Sequence, residues 1–197
     1  MAALDDAAKF VCAEAQGAQF AYCQSDEISI LLTDFTKEDT GAWFDGNLQK
    51  ICSVSASIAA MAFNGHAAFM GKFPNATFDA RVFTIPDNVE VANYFVWRQK
   101  DAERNSVQML AQHYASHKEL HKKPIPEQHD IIHNGGDNWN DHPWQFKRGR
   151  VVKRLEFTGE IRDSNWAVVE TPVFTKDREW LKNLIPIPWA EKETETA

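Results

Sequence analysis

Two adjacent carboxylates, Asp26 and Glu27, are the residues best placed for chemistry in this sequence. They follow Ser25 between two short runs rich in aromatic or β-branched residues, 19–23 and 28–32, a pattern that predicts a β-hairpin with a polar tip. Neighbouring side chains on a strand face opposite ways, but at a tight turn both can point toward one ion. Mg2+ takes a few carboxylates together with substrate phosphates. The turn is therefore a candidate metal site, and a solvated acidic turn is the alternative.

Predicted helices on either side of the hairpin would hold this turn in place. Apolar residues within 1–16 recur at helical spacing, and Gly17 follows where a helix would stop. Thr36 with Asp39 resembles a capping box and predicts a long helical region that continues to about Gly65. The Ala- and Ser-rich middle of that region indicates close packing.

The second half of the chain predicts further strands and helices. Residues 77–85 predict a strand that ends at Pro86, and Asp87 or Asn88 would cap a helix from 89 to about 116. An irregular stretch rich in histidine and tryptophan follows. The remaining predicted elements are a basic strand at 150–157, a strand at 168–174 and a short helix at 176–183.

Basic residues are locally concentrated in a protein that is acidic overall. The sequence has 21 Lys plus Arg against 28 Asp plus Glu, a formal net charge of −7, so any RNA contact must be a local patch. Arg81 could hold phosphate or pair internally with Asp79. A solvated edge strand is the alternative to an RNA-contacting patch for the densest basic segment. That segment contains Lys147, Arg148, Arg150, Lys153 and Arg154.

Composition argues against several classes of protein. Cys12, Cys23 and Cys52 are too far apart for a paired zinc motif, and their odd number argues against a disulfide framework, so we expect a reducing, cytoplasmic compartment. The stretch 51–70 is poor in charge, but polar residues interrupt it and we expect no membrane span. The segment 1–16 lacks the features of a signal peptide. The nine scattered glycines form no P-loop or Rossmann motif.

Histidines supply a rival chemistry. His113, His117 and His121 recur every four residues, and His129 with His133 repeats that spacing, by which one helix face can present two zinc ligands. In HKEL, the glutamate is two positions after the first histidine and would point about 200° around the helix from it, unlike the general base of a zinc protease. Histidines that line an RNA-facing helix are the preferred interpretation, and a zinc hydrolase is the alternative.

The acidic turn is part of a longer ordered pattern. Residues 22–27 (YCQSDE), followed by an apolar strand, resemble the second metal-binding signature of the tRNA(His) guanylyltransferase family. FDARV at 78–82 is similar to the family's Phe-Asp-Gly/Ser-Arg strand, and YFVWRQKDAERN at 94–105 is similar to its Trp-Arg-Gln helix. NWND at 138–141 with KRG at 147–149 resembles its closing segment. The resemblance covers about residues 1–150 and is specific because four motifs occur in order.

The resemblance implies an enzyme that adds nucleotides in the 3′-to-5′ direction to the 5′ end of a tRNA. Family members use a palm domain like that of ordinary polymerases, two Mg2+ ions, and GTP or ATP. The resemblance places Asp26 and Glu27 as catalytic metal ligands, and Ser25, Lys50 and Arg81 at the nucleotide. An ordinary surface lysine is the alternative for Lys50. Family members are commonly tetramers, so a homotetramer is a further expectation.

The beginning of the chain departs from the family pattern. The family's palm starts with a Leu-Asp-Gly-Arg strand that supplies a second shared carboxylate, whereas Met1 here falls inside the helix that should follow it. Asp45-Gly46 is the only Asp-Gly pair, and it is expected within a helix. Two-metal phosphoryl chemistry needs carboxylates that bridge both ions. The expectation is either a misplaced start codon or a catalytically inactive remnant that binds RNA.

A second departure concerns the subtype. Where eukaryotic members have a His-Ile-Asn-Asn run, this chain has ERNS at 103–106. That is similar to bacterial and phage relatives, which repair truncated tRNA 5′ ends by templated addition. The resemblance therefore favours 5′-end repair over strict addition of a single guanylate.

The expected fold class is α+β, a ferredoxin-like palm with an antiparallel sheet and its long helices on one face. We expect a palm-like catalytic region at 1–116 and a smaller tRNA-contacting region at 117–197, with tRNA and nucleoside triphosphates as partners and no membrane. An N-terminally incomplete sheet would also expose a hydrophobic edge that favours aggregation.

Overall fold

The structure, a computed structural model, describes residues 1–72, 75–155 and 166–188. Among these residues the strands form a single sheet, and most of the helices lie in sequence between its second and third strands. The strands are β1 Ala18–Gln24, β2 Glu27–Leu32, β3 Arg150–Arg154 and β4 Trp166–Val169. The helices are α1 Ala2–Glu14, α2 Leu48–Phe69, α3 Asn88–Tyr114, α4 His117–Leu120, α5 Ile125–Asn134, α6 Trp144–Arg148 and α7 Arg178–Lys182.

The four strands form an antiparallel sheet in the order β2-β1-β3-β4. The predicted hairpin is confirmed, with Ala18 opposite Leu32 at its open end and Gln24 opposite Glu27 at the turn. On the other side of β1, Cys23 is opposite Arg150. The turn therefore lies at the end of the sheet where β3 begins.

Helices cover both faces of this sheet. Phe20 and Tyr22 of β1 pack with α3 and α7, whereas Ala21 and Cys23 of the same strand pack with α1. Successive side chains of a strand point to opposite faces, so the two clusters lie on opposite sides of the sheet. The α+β class and the antiparallel sheet are confirmed, but the expectation that the helices lie on one face is wrong.

The helix predicted from Thr36 begins later than expected. Its first residue is Leu48, and the side chain of Asn47 caps it by accepting a hydrogen bond from the backbone N–H of Lys50. Phe44, Asp45 and Gly46 precede the helix and have φ angles of 52°, 52° and 74°. Three left-handed residues in succession cannot continue a helix, which explains the later start.

The segment predicted as a strand at 77–85 pairs with no strand among the described residues. It is extended, and it runs past the edge of the sheet with Phe78 against Phe63 on the α1 face and Ile85 against the α3 cluster. Its β-like composition reflects partial burial against both layers. The following helix is confirmed, and the side chain of Asp87 caps it.

The C-terminal elements pack against α3. Val107 and Ala111 of α3 form a cluster with Ile132 of α5, so the histidine-rich region is attached to the long helix. The predicted basic strand is present as β3, and residues 156–157 of that prediction lie outside the described residues. The strand predicted at 168–174 is present as β4, but it ends at Val169, and residues 170–174 are not in a strand. The short helix predicted at 176–183 is α7.

Within the described ranges, one helix, α2, is long and apolar enough to cross a membrane by length and composition. This is weak evidence for a span, since core helices of soluble proteins meet the same test. Of the apolar window of α2, 22% is buried inside the fold, and Ile51, Ala59 and Ala62 are among the buried residues of the helix.

Gly149 joins α6 to β3 at a point where no side chain fits. Its φ is 69°, and a Cβ there would collide with the Tyr22 hydroxyl group and with the carbonyl oxygen of Cys23. The Tyr22 hydroxyl donates a hydrogen bond of 2.8 Å to the carbonyl of Arg148, which fixes the approach of the chain to β1. The glycine thus permits the close contact that aligns β3 beside the turn.

We expect Gly149→Ala to destabilise the protein by about 2–4 kcal/mol, because it combines an unfavourable backbone conformation with overpacking. Gly136→Ala is the matched control, since Gly136 has a φ of 85° but open space around it. Thermal unfolding should show a loss in Tm several degrees larger for Gly149→Ala than for the control. Equal losses in Tm would mean that the close contact with Tyr22 adds nothing to the cost of the backbone conformation.

Candidate active site at the acidic turn

The turn between β1 and β2 presents one carboxylate to solvent. Ser25 has a φ of 47°, and Ser25 and Asp26 are both exposed. A non-glycine residue in the left-handed region is uncommon, and here it permits the tight reversal that carries Asp26 to the tip. Asp26 is therefore free to meet a ligand from solvent.

Glu27 has a different environment from its neighbour. Arg98 Nε donates to Glu27 Oε1 at 2.8 Å and Arg98 Nη2 donates to Oε2 at 2.6 Å, which is a two-pronged ion pair. The Ser29 hydroxyl donates a further hydrogen bond of 2.9 Å to Oε1. Both carboxylate oxygens are thus engaged within the protein, and Glu27 anchors the hairpin to α3.

Arg98 is itself held by several partners. Its side chain is 10% exposed, and it also reaches Asp101 Oδ2 at 3.3 Å. Its guanidinium carbon lies 4.5 Å from the centroid of the Trp97 ring. Asp101 in turn pairs with Arg104. This network holds Glu27 in one place, because no partner can move without breaking another contact.

A second ion pair lies beside the turn, on the other face of the sheet. Arg150 Nε donates to Asp5 Oδ1 at 2.6 Å, and the Arg150 side chain is only 4% exposed. Arg150 therefore cannot contact RNA phosphates as predicted, since its charge is neutralised inside the fold by α1. The spacing of basic residues gave no sign of this pair, which joins residues 145 apart in sequence.

The structure does not bring Lys50 to the turn. Its ammonium group lies 4.4 Å from the centroid of the Phe44 ring, and Phe44 packs on the cluster of Trp43 and Ile51 near Leu32. That cluster is at the open end of the hairpin, six residues or roughly 20 Å along β1 from the turn. A triphosphate at the turn is beyond the reach of Lys50 in this arrangement.

Arg81 is exposed on the extended segment, with its Nη2 atom 3.4 Å from Asp79 Oδ2. The ion pair weighed as an alternative is thus present, but both side chains are more than four-fifths exposed. Such a pair contributes little to stability and would not prevent Arg81 from binding phosphate.

The other basic residues do not form one continuous surface. Lys147 donates to the carbonyl of Asn140 at 2.6 Å, and Arg148 donates to the carbonyl of Thr171 at 2.7 Å. Lys153 and Arg154 lie at the far end of β3, where they line an open cleft of about 430 Å³. Alternation along the strand places these last two on opposite faces of the sheet.

Asp26 fits one Mg2+ ion that arrives with a triphosphate, because Mg2+ keeps several waters and needs only one or two carboxylates besides phosphate oxygens. Within the described ranges, no group of three or more His, Cys, Asp or Glu residues is placed to hold a metal ion. The described donors therefore do not provide the shared carboxylates that a two-metal site requires.

The histidines are divided among separate elements. His113 lies in the last turn of α3, and His117 is the first residue of α4. The two helices are separate because Ala115 between them is extended. His129 and His133 share α5, and His129 packs edge-on against Trp139. The spacing of His113, His117 and His121, which suggested a zinc site, therefore does not come from one helix face.

Cys23, beside the turn, is buried. Burial raises the pKa of its thiol well above the usual value, and that of Cys12 to about 12. Neither thiol is a nucleophile at neutral pH, since only the thiolate reacts.

Comparisons with known proteins match this chain and its fold. The family model for tRNAHis guanylyltransferase matches residues 1–86. A bacterial tRNA(His) guanylyltransferase (Thg1)-like protein, solved in complex with ATP, is 40% identical over 94% of this chain and 79% of its own, with a TM-score of 0.84. The corresponding structure in complex with GTP gives 40% identity, 94% and 78% coverage and a TM-score of 0.79.

The tRNA(His) guanylyltransferase of Saccharomyces cerevisiae shares the fold, with 21% identity, 89% coverage of this chain, 79% of its own and a TM-score of 0.68. No curated protein sequence matches the chain. The fold and these comparisons define a nucleotidyltransferase. The chain belongs to the tRNA(His) guanylyltransferase family, whose members add nucleotides to the 5′ end of tRNA.

The role of Arg98 as an anchor for Glu27 was not recognised in the sequence. The spacing of Arg98 and Asp101 indicates only a local pair on the helix. The pair with Glu27 spans 71 residues and leaves no periodic signal.

We expect Arg98→Lys to lower the free energy of unfolding by about 1–3 kcal/mol, because an ammonium group cannot reproduce the two-pronged contact with a partly buried carboxylate. Arg104→Lys is the matched control, since Arg104 pairs with the same Asp101 but is 58% exposed, and it should change stability by about 0.5 kcal/mol or less. Urea unfolding measures both. Equal effects would contradict an anchoring role for Arg98.

Proposed function

We propose that this chain binds a nucleoside triphosphate with Mg2+ at the β1–β2 turn and adds the nucleotide in the 3′-to-5′ direction to the 5′ end of a tRNA. The observation that carries this proposal is the exposed Asp26 carboxylate beside the anchored Glu27. The relatives solved with ATP and with GTP support a triphosphate as the substrate.

The two neighbouring carboxylates have different roles in this proposal. Asp26 is the group that contacts the metal-bound triphosphate, and Mg2+ supplies charge neutralisation for the phosphates. Glu27, which family resemblance also places at the metal, orients the turn through Arg98. Ser25 lies within the turn and is exposed, so its hydroxyl is available to a phosphate oxygen. Arg81 is the candidate for a further phosphate contact.

We further propose that the RNA substrate is a tRNA with a truncated 5′ end, which is restored by templated addition. ERNS at 103–106 supports this subtype, since it resembles bacterial and phage relatives. A comparison of a tRNA lacking its first nucleotide with intact tRNA(His) tests the preference. Faster addition to intact tRNA(His) would contradict it.

A catalytically inactive RNA-binding protein is the second candidate. The observation that favours it is the single unengaged carboxylate at the turn among the described residues. Such a protein would bind tRNA without adding a nucleotide, whereas the enzyme would do both.

Replacing Asp26 with Asn should abolish the Mg2+-dependent part of stabilisation by GTP or ATP, because it removes the carboxylate that contacts the metal-bound triphosphate. The apo Tm should stay unchanged or rise slightly, since the charge beside Glu27 is lost. Thermal unfolding with triphosphate, in Mg2+ and in EDTA, measures this difference, and labelled nucleotide incorporation measures activity.

Asp39→Asn provides the matched control, since Asp39 is an exposed carboxylate away from the turn. It should retain the full Mg2+-dependent shift. Stabilisation that Asp26→Asn leaves intact would place the metal elsewhere. Binding of tRNA without any nucleotide incorporation by the parent protein would favour the inactive alternative.

For the tRNA surface, we propose Lys153 and Arg154, with Lys147 and Arg148 as a separate second contact. Each phosphate contact adds about 0.9 to the slope of log K against log salt concentration. The double substitution of Lys153 and Arg154 by Ala should therefore weaken tRNA binding and reduce that slope by roughly two units. Filter binding between low and moderate salt checks this, and an unchanged slope would assign the cleft to another role.

A further inference from the structure

A row of aromatic side chains begins next to the acidic turn. The ring centroids of Phe83 and Tyr94 are 5.5 Å apart, and those of Tyr94 and Trp97 are 6.0 Å apart. Trp97 in turn lies against the guanidinium group of Arg98, which binds Glu27. The row thus extends along α3 from a point one ion pair away from the turn.

Two of these rings are exposed although they are large and apolar. Phe83 is 59% exposed and Trp97 is 58% exposed. Tyr94 between them is half-buried, and its hydroxyl is 3.0 Å from the Ser29 hydroxyl. Tyr94 and Arg98 therefore support the outer rings from the side of the protein. Exposed apolar rings on such a support are typical of a binding surface.

Cations surround the exposed rings. Lys100 and Arg104 follow Trp97 by three and seven positions, so they lie on the same face of α3. Arg81 is two residues from Phe83 and its side chain is 87% exposed. Two acids also lie on this face of α3. Asp101 is engaged by Arg98 and Arg104, and Glu90, seven positions before Trp97, accepts a hydrogen bond from Asn93. Aromatic rings with neighbouring cations are the combination that binds unpaired nucleotides, through stacking and phosphate contacts.

We propose that Trp97 and Phe83 form a stacking platform for the unpaired nucleobase that is left opposite the missing 5′ nucleotide of the RNA substrate. This inference rests on the proposed function, which places the RNA 5′ end at the neighbouring turn. A stacked base would keep the terminal nucleotide beside Asp26, since Arg98 joins the Trp97 ring to the turn. A blunt duplex exposes a base face only on its terminal pair, across the end of the helix axis, whereas an unpaired base is free to turn flat onto the rings. The platform would therefore favour ends with an unpaired nucleotide.

The test compares two RNA hairpins that mimic the tRNA acceptor stem, one with a 5′ end recessed by one nucleotide, which leaves a single 3′-strand nucleotide unpaired, and one with a blunt end. Binding is measured without Mg2+ and without triphosphate. Trp97→Leu should weaken binding of the unpaired hairpin about tenfold and leave the blunt hairpin unchanged, because leucine keeps apolar contact but has no ring. Trp97→Phe should retain most of the preference.

Met109→Ala is the matched control, because Met109 is 66% exposed on the same helix, three turns beyond Trp97. It should leave the affinity for both hairpins unchanged. Phe83→Leu provides a second test of the platform and should also reduce the preference for the unpaired hairpin. The proposal is overturned if Trp97→Leu weakens both hairpins equally, or if it affects GTP or ATP binding alone.

This readout is separate from catalysis. A parent protein that prefers the unpaired hairpin, and loses that preference in Trp97→Leu, supports the platform even if nucleotide addition is absent. Nucleotide addition that persists without any RNA preference would instead support the proposed function and reject the platform.

Discussion

The two-pronged ion pair between Glu27 and Arg98 is the interaction on which the geometry of the turn depends. It connects the tip of the β1–β2 hairpin to the middle of α3, across 71 residues of sequence. On the opposite face, Asp5 and Arg150 connect the neighbouring edge of the sheet to α1. The arginine side chains of the two pairs are only 10% and 4% exposed, so removal of either carboxylate would leave a largely buried positive charge without its partner. Each ion pair therefore resists displacement more strongly than its net contribution to stability implies.

These ion pairs determine which carboxylate is available to a ligand. Glu27 is the first residue of β2, and strand alternation directs it, like Ser29, toward α3. Asp26 lies in the turn, where alternation no longer applies, and it is exposed. The separation of the two roles therefore follows from the position at which the strand begins.

The sequence predicted those parts of the fold that leave a local signal. The α1 helix, the hairpin and the Asp87-capped α3 helix have clear periodicity or capping residues, and the ordered motifs identified the family. The prediction for the start of α2 was wrong because left-handed residues precede the helix. The prediction of a strand at 77–85 was wrong because burial between the two layers, and not strand pairing, accounts for its composition. For the site, Asp26 was found from its position at a turn, whereas the burial of Arg150 could not be predicted from a charge pattern.

Long-range ion pairs also explain why basic residues near a family motif need not share one function. Arg150 is one residue from Gly149 and four from Arg154, yet it neutralises Asp5 inside the fold, whereas Arg154 is exposed. On α3, Arg98 is almost fully buried and orients Glu27, while Trp97 beside it is exposed. In both cases the face of the element decides whether a side chain supports the turn or is open to solvent. Residues that orient the turn and residues that meet the RNA can therefore be neighbours in sequence, because a helix or strand presents its adjacent side chains to different surroundings.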